Sequence, residues 1–263
     1  MSRIETIADN VVALSDLVAI DERISWHRPG QTGFEPYNEY VILAGEKALL
    51  YDTGVALHGD SLLPSLREVV GSRQLLVFIS RIEMDCIGNL GRILDAWPGT
   101  QVVTANVVPV TGLVHPRDRS AHPPVVHMEM GNTLGAFGFP HLLINQAPIR
   151  MLGTSWVWNS LARVLFTTDF FCGDMLRNEN ESVVRRAADD MESPRGIRDT
   201  LARKFDWLDI AVMDSLERDW NELFGRIAPD IIAPIHGRVQ MGRGLAARVV
   251  GDYRRALFDA GNI

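Results

Sequence analysis

The chain has 263 residues, enough for one large domain or two smaller ones. Hydrophobic residues make up 46 % and charged residues 22 %, a balance that fills a sizeable core and excludes a disordered or fibrous chain. A net charge of −7 argues against a general binder of nucleic acid or anionic membrane, and 2 cysteines are too few for a disulfide framework. No apolar run reaches the roughly 18 residues of a membrane span, and the first five residues lack the layout of a secretory signal. A globular, cytoplasmic protein with no membrane and no nucleic-acid partner is therefore expected, its Cys86 and Cys172 kept as thiols.

Residues 11–14, 40–44 and 48–51 are short runs of β-formers, with Gly45-Glu46-Lys47 as a hairpin loop between the last two. That pair ends at the polar, flexible Asp52-Thr53-Gly54. Leu62, Leu63, Leu66, Val69 and Val70 then recur at helical spacing. Residues 75–79 form a continuous apolar run suited to a strand buried on both faces, and it breaks into Ser80-Arg81-Ile82-Glu83-Met84-Asp85-Cys86. A helix is predicted next, with Ile87, Leu90, Ile93 and Leu94 as its apolar positions and Pro98-Gly99 as its stop, followed by a strand over 101–104. The charged cluster thus falls in a strand-to-helix turn, the place where α/β folds put their chemistry.

Residues 110–124 read as a proline-rich loop carrying His115 and His122, which with His127 match no metal-ligand spacing and read as solvated. Short strands are predicted at 125–128, 133–137, 141–144, 156–158 and 164–168. Helical periodicity follows at 183–191, 197–205, 210–227 and 245–260, interrupted by an apolar strand that ends in His236-Gly237. No repeat or linker divides the chain, so one domain over 1–263 is expected. Four strands end in chemistry-bearing residues: Asp52, the cluster from Arg81 to Cys86, Asp169, and His236.

These segments resemble the metallo-β-lactamase fold and, within it, the flavodiiron and oxygen-binding diiron proteins. Tyr37-Asn38-Glu39-Tyr40-Val41-Ile42 resembles the entry strand, and Leu50-Tyr51-Asp52-Thr53-Gly54 the Asp-Thr-Gly turn. Residues 80–90 resemble the ligand loop that usually reads His-x-Glu-x-Asp-His-x-Gly-x-Leu. Residues 147–154 resemble the segment of the next histidine, 165–171 that of the bridging aspartate, and Ala233-Pro234-Ile235-His236-Gly237 the last ligand strand. The resemblance spans nearly the whole chain and implies an α/β (α+β) fold, an αββα four-layer sandwich of two mixed sheets flanked by helices. It further implies a metal centre built on Glu83, Asp85, Asp169 and His236. His27 resembles a histidine that flavodiiron proteins carry near that site. With the chain ending at 263, neither a flavodoxin-like domain nor a flavin is expected, which would leave redox turnover dependent on an external electron donor.

The departures from the pattern matter as much. Arg81, Cys86 and Arg150 stand where the family has histidines, and a guanidinium has no lone pair to give a metal. Two divalent ions with three carboxylates carry one net positive charge. One ion with two guanidinium groups and the same carboxylates carries the same charge, so Arg81 and Arg150 are suited to replace one ion or to stabilise a bound anion. Three readings follow. The first is a protein with at most one metal ion, iron or else manganese or zinc, held by Asp85, Asp169 and His236 with Cys86 or His27 as further candidates. It would bind a small molecule of the O2 or NO type or act in redox chemistry. The second is a metal-free pseudoenzyme closed by arginine–carboxylate pairs that binds a ligand or a partner. The third, a one-metal hydrolase, fits Glu83 and the arginines least. A homodimer is expected by analogy with the family.

Overall fold

The computed structural model describes residues 1–21, 26–106, 125–149 and 153–259. Its strands form two seven-stranded sheets, in the orders β1-β2-β3-β4-β5-β6-β7 and β12-β14-β13-β11-β10-β9-β8. The chain divides into two compact units, one of residues 1–16 and 37–162 and one of residues 17–36 and 163–263. No helix among the described residues is long and apolar enough to cross a membrane.

The first unit starts with the hairpin β1 (Arg3–Ala8) and β2 (Val11–Ala19), followed by β3 (Phe34–Ala44) and β4 (Lys47–Tyr51). β3 and β4 pair antiparallel from Ala44↔Lys47 to Tyr40↔Tyr51, the predicted hairpin with a two-residue loop. Gly45 supplies the positive φ of 56° which that loop needs. β5 (Gln74–Ile79), β6 (Gln101–Thr104) and β7 (Val125–His127) continue the sheet in parallel. Leu75 to Ile79 are all buried, as their unbroken apolar run requires. Helix α1 (Gly59–Val70) precedes β5 and buries Leu62, Leu66 and Val70.

The single helix predicted after the charged cluster is two, α2 (Met84–Ile87) and α3 (Leu90–Ala96). Gly88 stands between them, where a Cβ would meet the Gly54 carbonyl oxygen and the Ala56 nitrogen at 2.6 Å. Asn89 then donates from Nδ2 to the carbonyls of Thr53 (2.9 Å) and Val55 (2.7 Å), tying the helix junction to the Asp-Thr-Gly turn. The unit also carries β8 (Thr133–Leu134), β9 (Phe139–Gln146) and β10 (Ser155–Asn159) of the second sheet.

The second unit holds β11 (Val164–Phe166), β12 (Val184–Arg185), β13 (Ile231–Ala233) and β14 (Val239–Met241) with helices α4 (Pro194–Lys204), α5 (Met213–Arg226) and α6 (Arg243–Phe258). Residues 183–191, predicted helical, instead contain β12, which lies parallel to β14 through Val184↔Val239 and Arg185↔Gln240. Two adjacent buried valines and an arginine clamped to Asp174 favour extended backbone there over a helical turn. Helix α4 is capped as its sequence foretells, with Pro194 in its first turn and the Ser193 hydroxyl accepting from the Gly196 N–H at 3.2 Å. The core of this unit is aromatic: Phe171 lies 4.9 Å from Phe170 and 4.7 Å from Tyr253, ring centre to ring centre. Those two phenylalanines directly follow Asp169, so the core anchors the loop that bears it.

Candidate functional site

In the first unit the loop after β5 is organised around Arg81, which is 3 % exposed. Its Nη1 lies 3.3 Å from Glu83 Oε2, its Nη2 pairs with Asp85 Oδ2, and its Nε donates to Cys86 Sγ at 3.4 Å. Three candidate ligands of this loop therefore converge on one guanidinium. Glu83 starts α2 in extended conformation, and the helical turn that follows brings Asp85 back towards Arg81 at i,i+4 spacing.

Below this cluster Asp52 is fully buried and clamps the start of the loop. Its Oδ1 accepts the Ser80 N–H at 2.8 Å and its Oδ2 the Ser80 hydroxyl at 2.6 Å. Burial pushes the Asp52 carboxyl up to about 7; the two Ser80 bonds and the Arg81 charge act against this, and the Asp85 charge adds to it. Cys86 is likewise buried, and burial with the nearby Asp52 and Asp85 charges pushes its thiol well above the usual range despite Arg81. Cys86 is thus poorly disposed to act as a nucleophile.

In the second unit, parallel pairing of β11 and β13 sets the loops of Asp169 and His236 side by side, with the Ile235 N–H donating to the Thr168 carbonyl at 2.7 Å. Thr168 and Phe171 take left-handed φ values of 51° and 58°, a conformation costing about 1–3 kcal/mol per residue and typical of functional loops. Asp169 and His236 are each 1 % exposed. The His236 ring stacks edge-on to Trp26 at 5.7 Å. His27, also buried, places Nε2 3.4 Å from Glu35 Oε2, while Trp26 Nε1 donates to Glu35 Oε1 at 3.2 Å. Lys204 Nζ sits 4.4 Å over the Trp26 ring and 3.5 Å from Cys172 Sγ. Burial alone would raise the Glu35 carboxyl, but the His27 bond and the charges of His236, Lys204 and His27 hold it below its usual value.

Glu35, Trp26 and Lys204 carry no ligand motif, and sequence reasoning missed them. No local pattern singles out Glu35, which shares its strand with Asn38 and a second carboxylate, Glu39. Arg150, His115 and His122 lie outside the described residues. His127 turns its Nδ1 to the Asn106 carbonyl at 2.7 Å, and both cysteines are free thiols.

Among the described residues no group of three or more His, Cys, Asp or Glu side chains is arranged to hold a metal ion. The first unit offers a guanidinium where its carboxylates would meet a cation, and in the second His27 is engaged with Glu35. The described residues do not fit the two-metal centre that the loop pattern implies.

Comparison with solved structures places this geometry in context. Rubredoxin oxygen:oxidoreductase from Desulfovibrio gigas matches over 96 % of this chain at TM-score 0.72 and 21 % identity, with 61 % of its own length covered. The metal-soaked Flv1 flavodiiron core from Synechocystis sp. PCC6803 matches over 99 % at TM-score 0.74 and 18 % identity, with 62 % of its length covered. A metallo-β-lactamase from Pontibacter korlensis matches over 95 % at TM-score 0.60 and 15 % identity, with 98 % of its length covered. The chain spans about three fifths of the length of the first two proteins. No protein-family model matches the sequence, and no curated protein does. At these identities the likeness establishes the fold: the chain has the metallo-β-lactamase-like architecture of flavodiiron cores.

Proposed function

We propose that this protein is a flavodiiron-like fold in which Arg81 has taken the place of a metal ion in the ligand loop, and that it works by binding a small molecule or a partner without a metal centre. The observation that carries this reading is the single buried guanidinium facing Glu83, Asp85 and Cys86 at once. A fixed cation pairs with both carboxylates without exchange, whereas a bound metal would have to displace it and leave the arginine charge buried and unpaired. On this reading the protein needs no electron donor and no flavin.

Thermal unfolding tests it, because any ion that binds the folded chain must stabilise it. The melting temperature is expected to stay within about 1 °C when EDTA, Fe²⁺ or Mn²⁺ is added. At a hundredfold excess over its dissociation constant a bound ion would add about 2.7 kcal/mol. A rise of several degrees with Fe²⁺, reversed by EDTA, would overturn the proposal in favour of one iron held by Asp85, Asp169 and His236.

A further inference from the structure

In the second unit a lysine is turned inward, towards side chains that suit a cation. Lys204 ends helix α4, where a lysine ordinarily serves the helix dipole from solvent. It is half-buried instead, with Nζ 4.4 Å from the centre of the Trp26 ring and 3.5 Å from Cys172 Sγ. The ring is held in turn by Glu35, whose Oε1 accepts from the indole Nε1 at 3.2 Å. An indole face fixed under a cation is itself a cation-binding surface, and a stronger one away from water.

Glu35 supplies the charge that such a site needs. It is fully buried, and a buried carboxylate is costly unless positive charge or hydrogen bonds meet it. Burial works against its ionisation, while the His27 bond and the charges of His236, Lys204 and His27 favour it. An imidazole carries charge only when protonated, whereas ammonium is the standing form of lysine at neutral pH.

The arrangement parallels the loop after β5. There Arg81 Nε donates to Cys86 Sγ at 3.4 Å, beside Glu83 and Asp85. In each unit a side-chain cation stands against a buried sulfur with a carboxylate close by.

We propose that Trp26, Glu35 and Cys172 form a cation site whose native occupant is the Lys204 ammonium, and that the vacated site takes a small alkylammonium ion. The chain itself thereby supplies positive charge beside the loops of Asp169 and His236. The inference deepens the metal-free reading and rests on it, since a resident ion would make a second cation redundant.

Chemical rescue tests it, because Lys204→Ala removes the outline of a propylammonium ion. In EDTA that variant is expected to melt several degrees below the wild type. Propylammonium chloride should recover at least half of the loss, relative to sodium chloride at the same ionic strength. Propan-1-ol, of the same shape without the charge, should recover none of it. Neither compound should raise the melting temperature of the wild type, whose site is filled. Lys204→Met keeps most of the stem and drops the charge, so it should also melt several degrees low. It keeps the test decisive if Lys204→Ala does not fold. The proposal is overturned if propanol restores Lys204→Ala as well as propylammonium does, if propylammonium restores nothing, or if Lys204→Met melts with the wild type. The assay holds no metal, so the two readings fail separately: iron uptake by the wild type would overturn the earlier one, and these outcomes this one.

Discussion

Exchanging a metal-binding histidine for arginine inverts what a position does, from lone-pair donor to fixed cation. Arg81 therefore carries a stability burden, and Arg81→Met should destabilise the protein by about 2–4 kcal/mol in urea unfolding. This lies below the full cost of a broken buried pair because the Glu83 side chain is 45 % exposed. Arg81→Lys should restore part of the loss, since a point charge still faces Asp85. Asp52 gives a pH signature with a definite sign. Its folded carboxyl titrates near 7 and the unfolded one near 3.8, so the folded state holds the proton between these values. Its contribution is complete below the unfolded value and is lost as pH rises to about 7. Unfolding free energy measured from pH 4 to 8 should show that decline, on the order of a few kcal/mol, and Asp52→Asn should flatten it. The residue types of this loop were readable directly from the sequence because they sit in one contiguous motif. Glu35 and Lys204 lie 169 positions apart in the sequence and meet only through folding, so no local pattern announced them.

At the scale of elements, the Asp52-Thr53-Gly54 turn couples β4 to the loop after β5. Gly54 has a φ of 67°, and a Cβ there would stand 1.9 Å from Glu39 Oε1. Glu39 is 1 % exposed, which leaves its side chain little room to retreat. Gly54→Ala should therefore cost about 2–4 kcal/mol in the same unfolding assay, far more than Gly45→Ala, which meets nothing within 4 Å. Strands with continuous apolar runs, such as Leu75 to Ile79, were legible because burial on both faces leaves a plain signature. The segment around β12 was not: Val183 and Val184 fit a helical pattern, and only the partner strand β14 and the Arg185–Asp174 clamp decide for extended backbone. The break at Gly88-Asn89 escaped for a similar reason, since it answers to the carbonyls of a turn more than thirty residues earlier.

For the whole molecule, six motif segments in a consistent order pointed to the fold, and the match to flavodiiron cores at TM-scores of 0.72 and 0.74 agrees with them at only 18–21 % identity. Order and spacing survive where identity fades, because strand ends must reach the same places for the sheets to form. Site chemistry is not fixed by the fold in that way: a buried guanidinium at Arg81 faces Glu83, Asp85 and Cys86 in the loop after β5. Metal uptake by the chain separates the metal-free reading from the one-iron reading. Native mass spectrometry of protein purified without an affinity tag and incubated anaerobically with excess Fe²⁺ counts the ions directly. The metal-free reading predicts the mass of the bare chain, with fewer than about 0.1 iron per protomer. A species carrying one or two irons per protomer would contradict it.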